Sequence, residues 1–297
     1  MLARLQQFIV LFLMSVATGW AAYFANSSPL LAAAGFLAVL FGYSGFLALE
    51  FVLLYAVNRT DPAPKATLSE LVSAWWGETL MAPRVFCWLM PFRHNAMPDH
   101  LAVKNLVKDK RGVVFVHGFF CNRGVWNPWL ERLQGTGHAY MALSMEPVFG
   151  SIDDYTPQID AAVVKVTQAT GLPPLIVCHS MGGLAVRAWL QNKKAESRVH
   201  HVVTIGSPHK GTWLARFSHS QNGRQMRLQS SWQTALDHEM PAGRHALFTC
   251  WYSNADNIVF PASTATLSGA DNRLICGKAH VQMAFAPQIM NSTLGML

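Results

Sequence analysis

The sequence predicts an α/β fold, a mostly parallel sheet with helices on both faces, preceded by two transmembrane helices. Three observations support this prediction. Residues 8–49 contain no Asp, Glu, Lys or Arg, which is too long an uncharged stretch for a soluble core element. From Val113 onward, short apolar runs alternate with segments of helical spacing. The run that ends just before Ser180 breaks between small residues into a helical pattern, which is typical of a strand that turns sharply into a helix.

The N-terminal part, residues 1–60, is predicted to be a helical hairpin that anchors the chain in a membrane. A polar turn at residues 26–29 separates apolar stretches around residues 8–24 and 30–57. Each stretch is long enough to cross a hydrocarbon layer of about 30 Å as a helix. A cleaved signal peptide is the alternative for the first stretch, and the second would then remain as the anchor. Glu50 falls near the end of the second stretch, where its side chain is expected to reach the headgroup region.

The charge pattern bears on location and partners. Arg4 precedes the hairpin and Arg59 and Lys65 follow it, so the positive-inside rule puts both of its ends in the cytoplasm. The net charge is +7, but Lys and Arg are scattered, which argues against nucleic acid as a partner. Anionic lipid headgroups suit a basic anchored domain, and a simple solvated surface is the alternative. The five cysteines, an odd number without metal-like spacing, fit a reducing compartment.

Residues 61–110 are predicted to form a linker and an amphipathic helix. Thr67 and Glu70 have the spacing of a capping box, so the helix should begin there. The apolar residues that follow at three- or four-residue spacing are Leu68, Leu71, Val72, Trp75, Trp76 and Leu80. We expect the helix to end before Pro83. Its apolar face either lies in the membrane interface or packs on the following domain.

Residues 111–297 are predicted to form the catalytic domain. The apolar runs that predict its strands lie at residues 113–116, 139–145, 175–179, 201–206, 247–252 and 273–276. Between the second and third runs, Ile159, Ala162, Val163 and Val166 mark an amphipathic helix that should stop at Gly171. This alternation of strands and helices predicts the parallel sheet.

The third run leads into His179-Ser180-Met181-Gly182-Gly183, which has the form of a nucleophile elbow. In such a turn the serine hydroxyl projects from the sheet edge, and the next backbone N–H points at a substrate carbonyl. The usual motif has a glycine where this chain has Cys178, so the match is incomplete. Ser180 is the candidate nucleophile. The N–H groups of Met181 and of Phe119, which follows the first strand, are the candidate oxyanion donors.

A serine nucleophile needs a base and an acid that holds the base in the right tautomer. Asp256 directly follows the fifth run, so it should lie at the same sheet edge as Ser180. Asp271 is the rival acid, but it precedes the last run and should lie at the opposite edge. His280 comes just past the last run and is the candidate base.

Three motifs together give the chain a resemblance to a known family. They are His117-Gly118-Phe119, His179-Ser180-Met181-Gly182-Gly183 and Gly206-Ser207-Pro208-His209-Lys210-Gly211-Thr212. The chain resembles the α/β-hydrolase superfamily, and within it the bacterial lipases and esterases. The resemblance implies an α/β-hydrolase fold and ester hydrolysis through an acyl-enzyme, with Ser180, Asp256 and His280 as the triad.

The resemblance also implies a cap over the acyl pocket, around residues 207–245. His117, Leu214 and Phe217 are the expected substrate-binding residues, although the apolar residues of the cap are equally expected to form its own core. Secreted relatives hold calcium through aspartates near the histidine, and no Asp follows His280. We therefore expect neither a metal nor a cofactor.

These inferences combine into a hypothesis about function. The sequence is interpreted as a membrane-anchored serine hydrolase that cleaves carboxylic, lipid-like esters at a bacterial inner membrane, with its catalytic domain in the cytoplasm. An acyltransferase with the same triad is an alternative, because the acyl-enzyme need only meet an alcohol instead of water. A catalytically silent hydrolase-like interaction module is the second alternative.

Overall fold

The computed structural model describes residues 1–101, 110–238 and 243–297. Its centre is a six-stranded sheet with the strand order β2-β1-β3-β4-β5-β6, in which every neighbouring pair is parallel. The strands are β1 (Val113–Val116), β2 (Tyr140–Ala142), β3 (Leu175–His179), β4 (His201–Ile205), β5 (Phe248–Tyr252) and β6 (Asp271–Leu274). The predicted parallel sheet is confirmed, although β2 is shorter than its apolar run.

The central strands are buried on both faces, which explains why they are continuous apolar runs in the sequence. Val114 and Val116 of β1 point into one core, whereas Val113 and Phe115 point into the other. The first core is closed by α7 (Thr156–Thr170) and α8 (Met181–Lys193), and the second by α6 (Asn127–Leu133) and α12 (Pro287–Leu294). Gly171 ends α7 in a left-handed conformation, as predicted.

The N-terminal region forms three helices rather than the predicted two. They are α1 (Leu2–Phe24), α2 (Pro29–Phe41) and α3 (Tyr43–Val57). Among the described helices, α1 alone is by itself long and apolar enough to cross a membrane. Only 6% of its most apolar 18-residue stretch is buried. The second predicted span is bent by 47° between α2 and α3. Gly42 lies at this bend, where a Cβ would come within 2.5 Å of Ala38 O, so the chain turns there without a steric clash.

The N-terminal helix α1 packs against the residues that follow it, including the α/β domain. The buried Gln6 side chain donates to Phe120 O at 3.5 Å, and the Gln7 side chain donates to Pro91 O at 2.6 Å. Glu50, which we expected among lipid headgroups, is instead buried and accepts a hydrogen bond from Asn257 Nδ2 at 2.6 Å. That expectation was wrong because it treated α3 as a free helix, and α3 in fact docks on the loop that follows β5.

Helix α4 (Leu68–Pro83) begins at the predicted capping box, where Thr67 and Glu70 bond each other's backbone N–H groups. The prediction that it ends before Pro83 was wrong. The helical path continues through a π-helical turn at Arg84–Leu89 into α5 (Met90–Phe92). Proline provides no N–H for the carbonyl of Thr79, and the Tyr43 hydroxyl donates to that carbonyl instead.

The segment between β4 and β5 lies over the carboxyl end of the sheet. It contains a 3₁₀ turn at Trp213–Phe217, α9 (Gln221–Gln225), α10 (Ser231–His238) and a second 3₁₀ turn at Arg244–Leu247. Asn222 ties α9 to the domain by donating to Val148 O at 2.9 Å. The predicted cap around residues 207–245 corresponds to this segment and stays a prediction.

Candidate active site

Ser180 stands at a sharp turn between β3 and α8. Its φ of +56° and ψ of −130° lie in a region that residues with side chains rarely adopt. Neighbouring glycines make room for the turn. A Cβ on Gly182 would lie 2.4 Å from Val116 O, and one on Gly118 would lie 2.7 Å from Ser180 Cβ. The backbone therefore has the geometry of the expected elbow, with Cys178 buried in the preceding strand.

Asp256 and His280 form a buried pair. His280 Nδ1 lies 3.0 Å from both carboxylate oxygens of Asp256. The N–H groups of Ile258 and Val259 donate to Asp256 Oδ1 at 2.9 and 2.8 Å, which fixes the carboxylate. Burial lowers the pKa of His280, but the charge and hydrogen bond of Asp256, together with the charges of Glu78 and Glu50, outweigh burial and raise the pKa above its usual value. This arrangement holds the imidazole with Nε2 directed away from the acid.

The three candidate catalytic residues gather at one edge of the sheet, following β3, β5 and β6 respectively. Gly206 follows β4, and a Cβ there would come within 2.9 Å of Asp256 Oδ2 and 3.1 Å of His280 Nδ1. The His179 and His280 rings are 4.6 Å apart. The hydrogen bonds of His280 in the described part of the chain include none to Ser180 Oγ. Catalytic hydrogen bonds are often long in a free enzyme and tighten when substrate binds.

Two backbone N–H groups beside Ser180 have no acceptor among the hydrogen bonds of the described residues. One belongs to Met181, the first residue of α8, where N–H groups have no partner within the helix. The other belongs to Phe119, in the turn after β1. Both were the expected oxyanion donors, and removing one such donor typically raises a barrier by about 3–4 kcal/mol.

A mainly apolar cavity of about 160 Å³ opens beside Ser180. Its apolar lining includes Phe119, Leu214, Ala215, Met226, Ile258 and Val259. The cavity therefore has one wall from the sheet edge and another from the segment over it. Leu214 lies where we expected a substrate contact.

Two expected substrate-binding residues, His117 and Phe217, are not part of this lining. The Met145 N–H donates to His117 Nε2 at 2.8 Å, and His117 Nδ1 lies 2.9 Å from Gly118 O. Burial lowers the pKa of His117 to about 4, so the ring is neutral and shapes the turn after β1. Phe217 is 64% exposed and packs on the ring of Trp213.

The rival acid lies elsewhere. Asp271 is the first residue of β6, so it lies at the amino ends of the strands, whereas Ser180 lies at their carboxyl ends. It is exposed and forms an ion pair with Arg273 at 2.7 Å. His209, from the third motif, is buried with its Nε2 3.0 Å from Thr204 Oγ1, so it supports the fold of that loop.

Sequence reasoning missed two side chains that contact the His280 loop. Asn257 Oδ1 accepts the His280 N–H at 3.2 Å. Glu78 Oε1 and Oε2 accept the N–H groups of Val281 and Gln282, each at 3.0 Å. One sequence signal was available: Glu78 falls three residues after Trp75 and seven after Leu71, on the predicted apolar face of its helix, where a lone acid needs a specific partner.

Comparisons with known proteins agree on the fold. A model of the alpha/beta hydrolase family matches residues 113–281. The Bacillus licheniformis lipase BlEst2 in mature form has a TM-score of 0.57 at 16% identity, covering 66% of this chain and 95% of that one. Aspergillus fumigatus lipase B has a TM-score of 0.56 at 15% identity, covering 94% of this chain and 83% of that one. A comparison of the sequence with curated proteins found no match.

Proposed function

The chain belongs to the alpha/beta hydrolase family, and on that premise we propose that it is a membrane-anchored serine hydrolase of lipid esters. The observation that carries the proposal is the buried pair of Asp256 and His280, 3.0 Å apart, at the same sheet edge as Ser180. A strained serine turn beside such a pair is the arrangement that acyl transfer requires.

In the proposed mechanism, His280 Nε2 takes the proton of Ser180 as Oγ attacks the ester carbonyl. Asp256 keeps the Nδ1 proton in place and stabilises the imidazolium. The N–H groups of Phe119 and Met181 donate to the negative carbonyl oxygen. The carbon–oxygen bond to the alcohol then breaks, His280 gives its proton to that alcohol, and water hydrolyses the acyl-enzyme by the same steps.

The cavity supports an acyl chain as the bound group. Its lining is mostly apolar, and each CH₂ that leaves water for such a lining contributes about 0.8 kcal/mol. The two similar structures reported above are lipases, which agrees with ester substrates of this class.

Exposed apolar faces support attachment to a membrane. On α4, the outward residues are Leu68, Val72, Trp76 and Leu80, all more than half exposed, while Glu78 on the same helix is buried. This is the reverse of a soluble helix, which exposes its charges and buries its apolar residues. Together with apolar α1, it supports an anchor with α4 in the membrane interface. The basic flanking residues favour the cytoplasmic side of a bacterial inner membrane.

Labelling of the full chain in detergent micelles by a fluorophosphonate probe tests the proposal. The wild type should react, Ser180→Ala should not, and the exposed Ser144→Ala should react like the wild type because Ser144 lies outside the site. A wild type that resists the probe would favour the silent module. Adding a long-chain alcohol to the ester assay separates hydrolysis from acyl transfer, since an acyltransferase would form a new ester in place of free acid.

A further inference from the structure

The buried carboxylate of Glu78 is the strongest feature that the proposed mechanism does not use. Glu78 lies on α4, which precedes the residues that match the hydrolase family. Its side chain is 2% exposed. Among the described residues it forms no ion pair with Lys or Arg. Burying an ionised carboxylate without a cation is costly, so its contacts need an explanation.

Those contacts fix the loop that carries His280. The short helix α11 (His280–Met283) begins at His280, and its first N–H groups have no acceptor within the helix. Glu78 accepts the N–H of Val281 and the N–H of Gln282, each at 3.0 Å. One oxygen serves each donor, and these two hydrogen bonds favour the ionised form, but burial outweighs them and raises the pKa of Glu78 to about 7.

The N–H of His280 itself is held from the same side of the molecule. It donates to Asn257 Oδ1 at 3.2 Å, and Asn257 Nδ2 donates to Glu50 Oε2 on α3 at 2.6 Å. Three consecutive N–H groups, at residues 280–282, are therefore bonded by side chains from outside the loop. Two buried carboxylates, Glu78 of α4 and Glu50 of α3, accept the hydrogen bonds at the far ends of this network.

We infer that Glu78 is a positioning residue for His280, so that α4 forms part of the active site. Glu78 fixes the backbone just after His280, which positions the imidazole. It also provides a negative charge near the imidazolium that forms during acyl transfer. The inference rests on the proposed function and adds to it a requirement for a helix outside the hydrolase core.

The surroundings of His280 set the sign of the pH effect. Burial lowers its pKa, while Asp256 first, and then Glu78 and Glu50, raise it. The other titratable ring in contact is His179, whose pKa burial lowers to about 3, so it is neutral. The reaction needs neutral His280, so activity falls as the pH drops through the pKa of His280. Glu78 is itself charged mainly above its pKa of about 7, so removing its charge lowers the pKa of His280 and moves the acidic limb of the pH–activity profile to lower pH in that range.

The test compares variants of the full chain in micelles, with a p-nitrophenyl ester as substrate. Glu78→Gln should lower kcat about 10- to 100-fold with KM changed less than about threefold, because the imidazole is misplaced. The acidic limb of kcat/KM should move to lower pH, and the shift should appear above about pH 7, where Glu78 is ionised in the wild type. Glu78→Asp keeps the charge, so its limb should stay near that of the wild type while kcat falls several-fold.

Glu70→Gln is the matched control on the same helix. It removes a charge but keeps the capping box of α4, because a glutamine oxygen can still accept the Thr67 N–H, and Glu70 is not among the charges that act on His280. It should leave both the melting temperature and the acidic limb close to those of the wild type.

A wild-type kcat and an unmoved limb in Glu78→Gln would overturn the inference while leaving the proposed function intact. Where Glu78→Gln fails to fold, a wild-type kcat in Glu78→Asp would overturn it instead. Failure of the proposed function has a different signature, which is an unlabelled wild type or a Ser180→Ala variant that still hydrolyses the ester.

Discussion

Asp256 and Asp271 lie on either side of the 3₁₀ turn at Ala262–Ala265, yet their surroundings differ completely. Asp256 is 2% exposed and receives two backbone N–H groups as well as the imidazole. Asp271 is exposed, and its partner is Arg273 on the same strand. An exposed ion pair contributes at most about 1 kcal/mol to the free energy of unfolding, so replacing Asp271 should change stability little. The sequence already distinguished them, because Asp256 follows a predicted strand whereas Asp271 precedes one.

Asp256→Asn should therefore reduce kcat by about 10³- to 10⁴-fold, because an amide cannot hold the Nδ1 proton of His280 in the productive tautomer. Asp271→Asn should change kcat less than about twofold. Steady-state hydrolysis of a p-nitrophenyl ester measures both. A larger loss in Asp271→Asn than in Asp256→Asn would mean that the acid has been assigned to the wrong residue.

Helix α4 illustrates what sequence pattern predicts well and what it does not. Its start depends on the local contact between Thr67 and Glu70, which the capping box reveals. Its continuation past Pro83 depends on Tyr43, a residue of another helix, and no pattern within α4 contains that information. The same holds for Glu78, whose acceptor role appears only when α4 meets the His280 loop. The strands were predictable because burial on both faces leaves a continuous apolar run.

Tyr43→Phe should destabilise the protein by about 1–3 kcal/mol, because the buried Thr79 carbonyl then lacks a donor. Thermal unfolding in detergent should show a melting temperature several degrees lower. Tyr23→Phe is the control, since Tyr23 is 80% exposed. Equal melting temperatures for wild type and Tyr43→Phe would show that the carbonyl is satisfied in another way.

Taken as a whole, the N-terminal helices and the hydrolase core are not independent units. Phe51 and Leu54 of α3 share an apolar cluster with Ala255 and Ala279, the residues just before Asp256 and His280. The hairpin was predicted from hydropathy as a simple anchor. Hydropathy reports what leaves water, but it does not report which protein surface a helix meets, so this docking could not be predicted.

Removal of residues 1–60 should therefore abolish fluorophosphonate labelling rather than release a soluble enzyme. The cut exposes the apolar cluster and removes Glu50 from Asn257. The full chain extracted in mild detergent should keep its labelling, which controls for loss of the bilayer. A truncated chain that is soluble and fully labelled would contradict this coupling.

The hydrogen bond between Glu50 and Asn257 joins side chains that lie 207 positions apart in the chain. An evolving lineage cannot exchange either partner alone without leaving a buried polar group unpaired, which typically costs about 1–3 kcal/mol. A change at either of these two positions should therefore be tolerated only with a matching change at the other. Joining this core to unrelated N-terminal helices would require simultaneous changes on both sides of the contact.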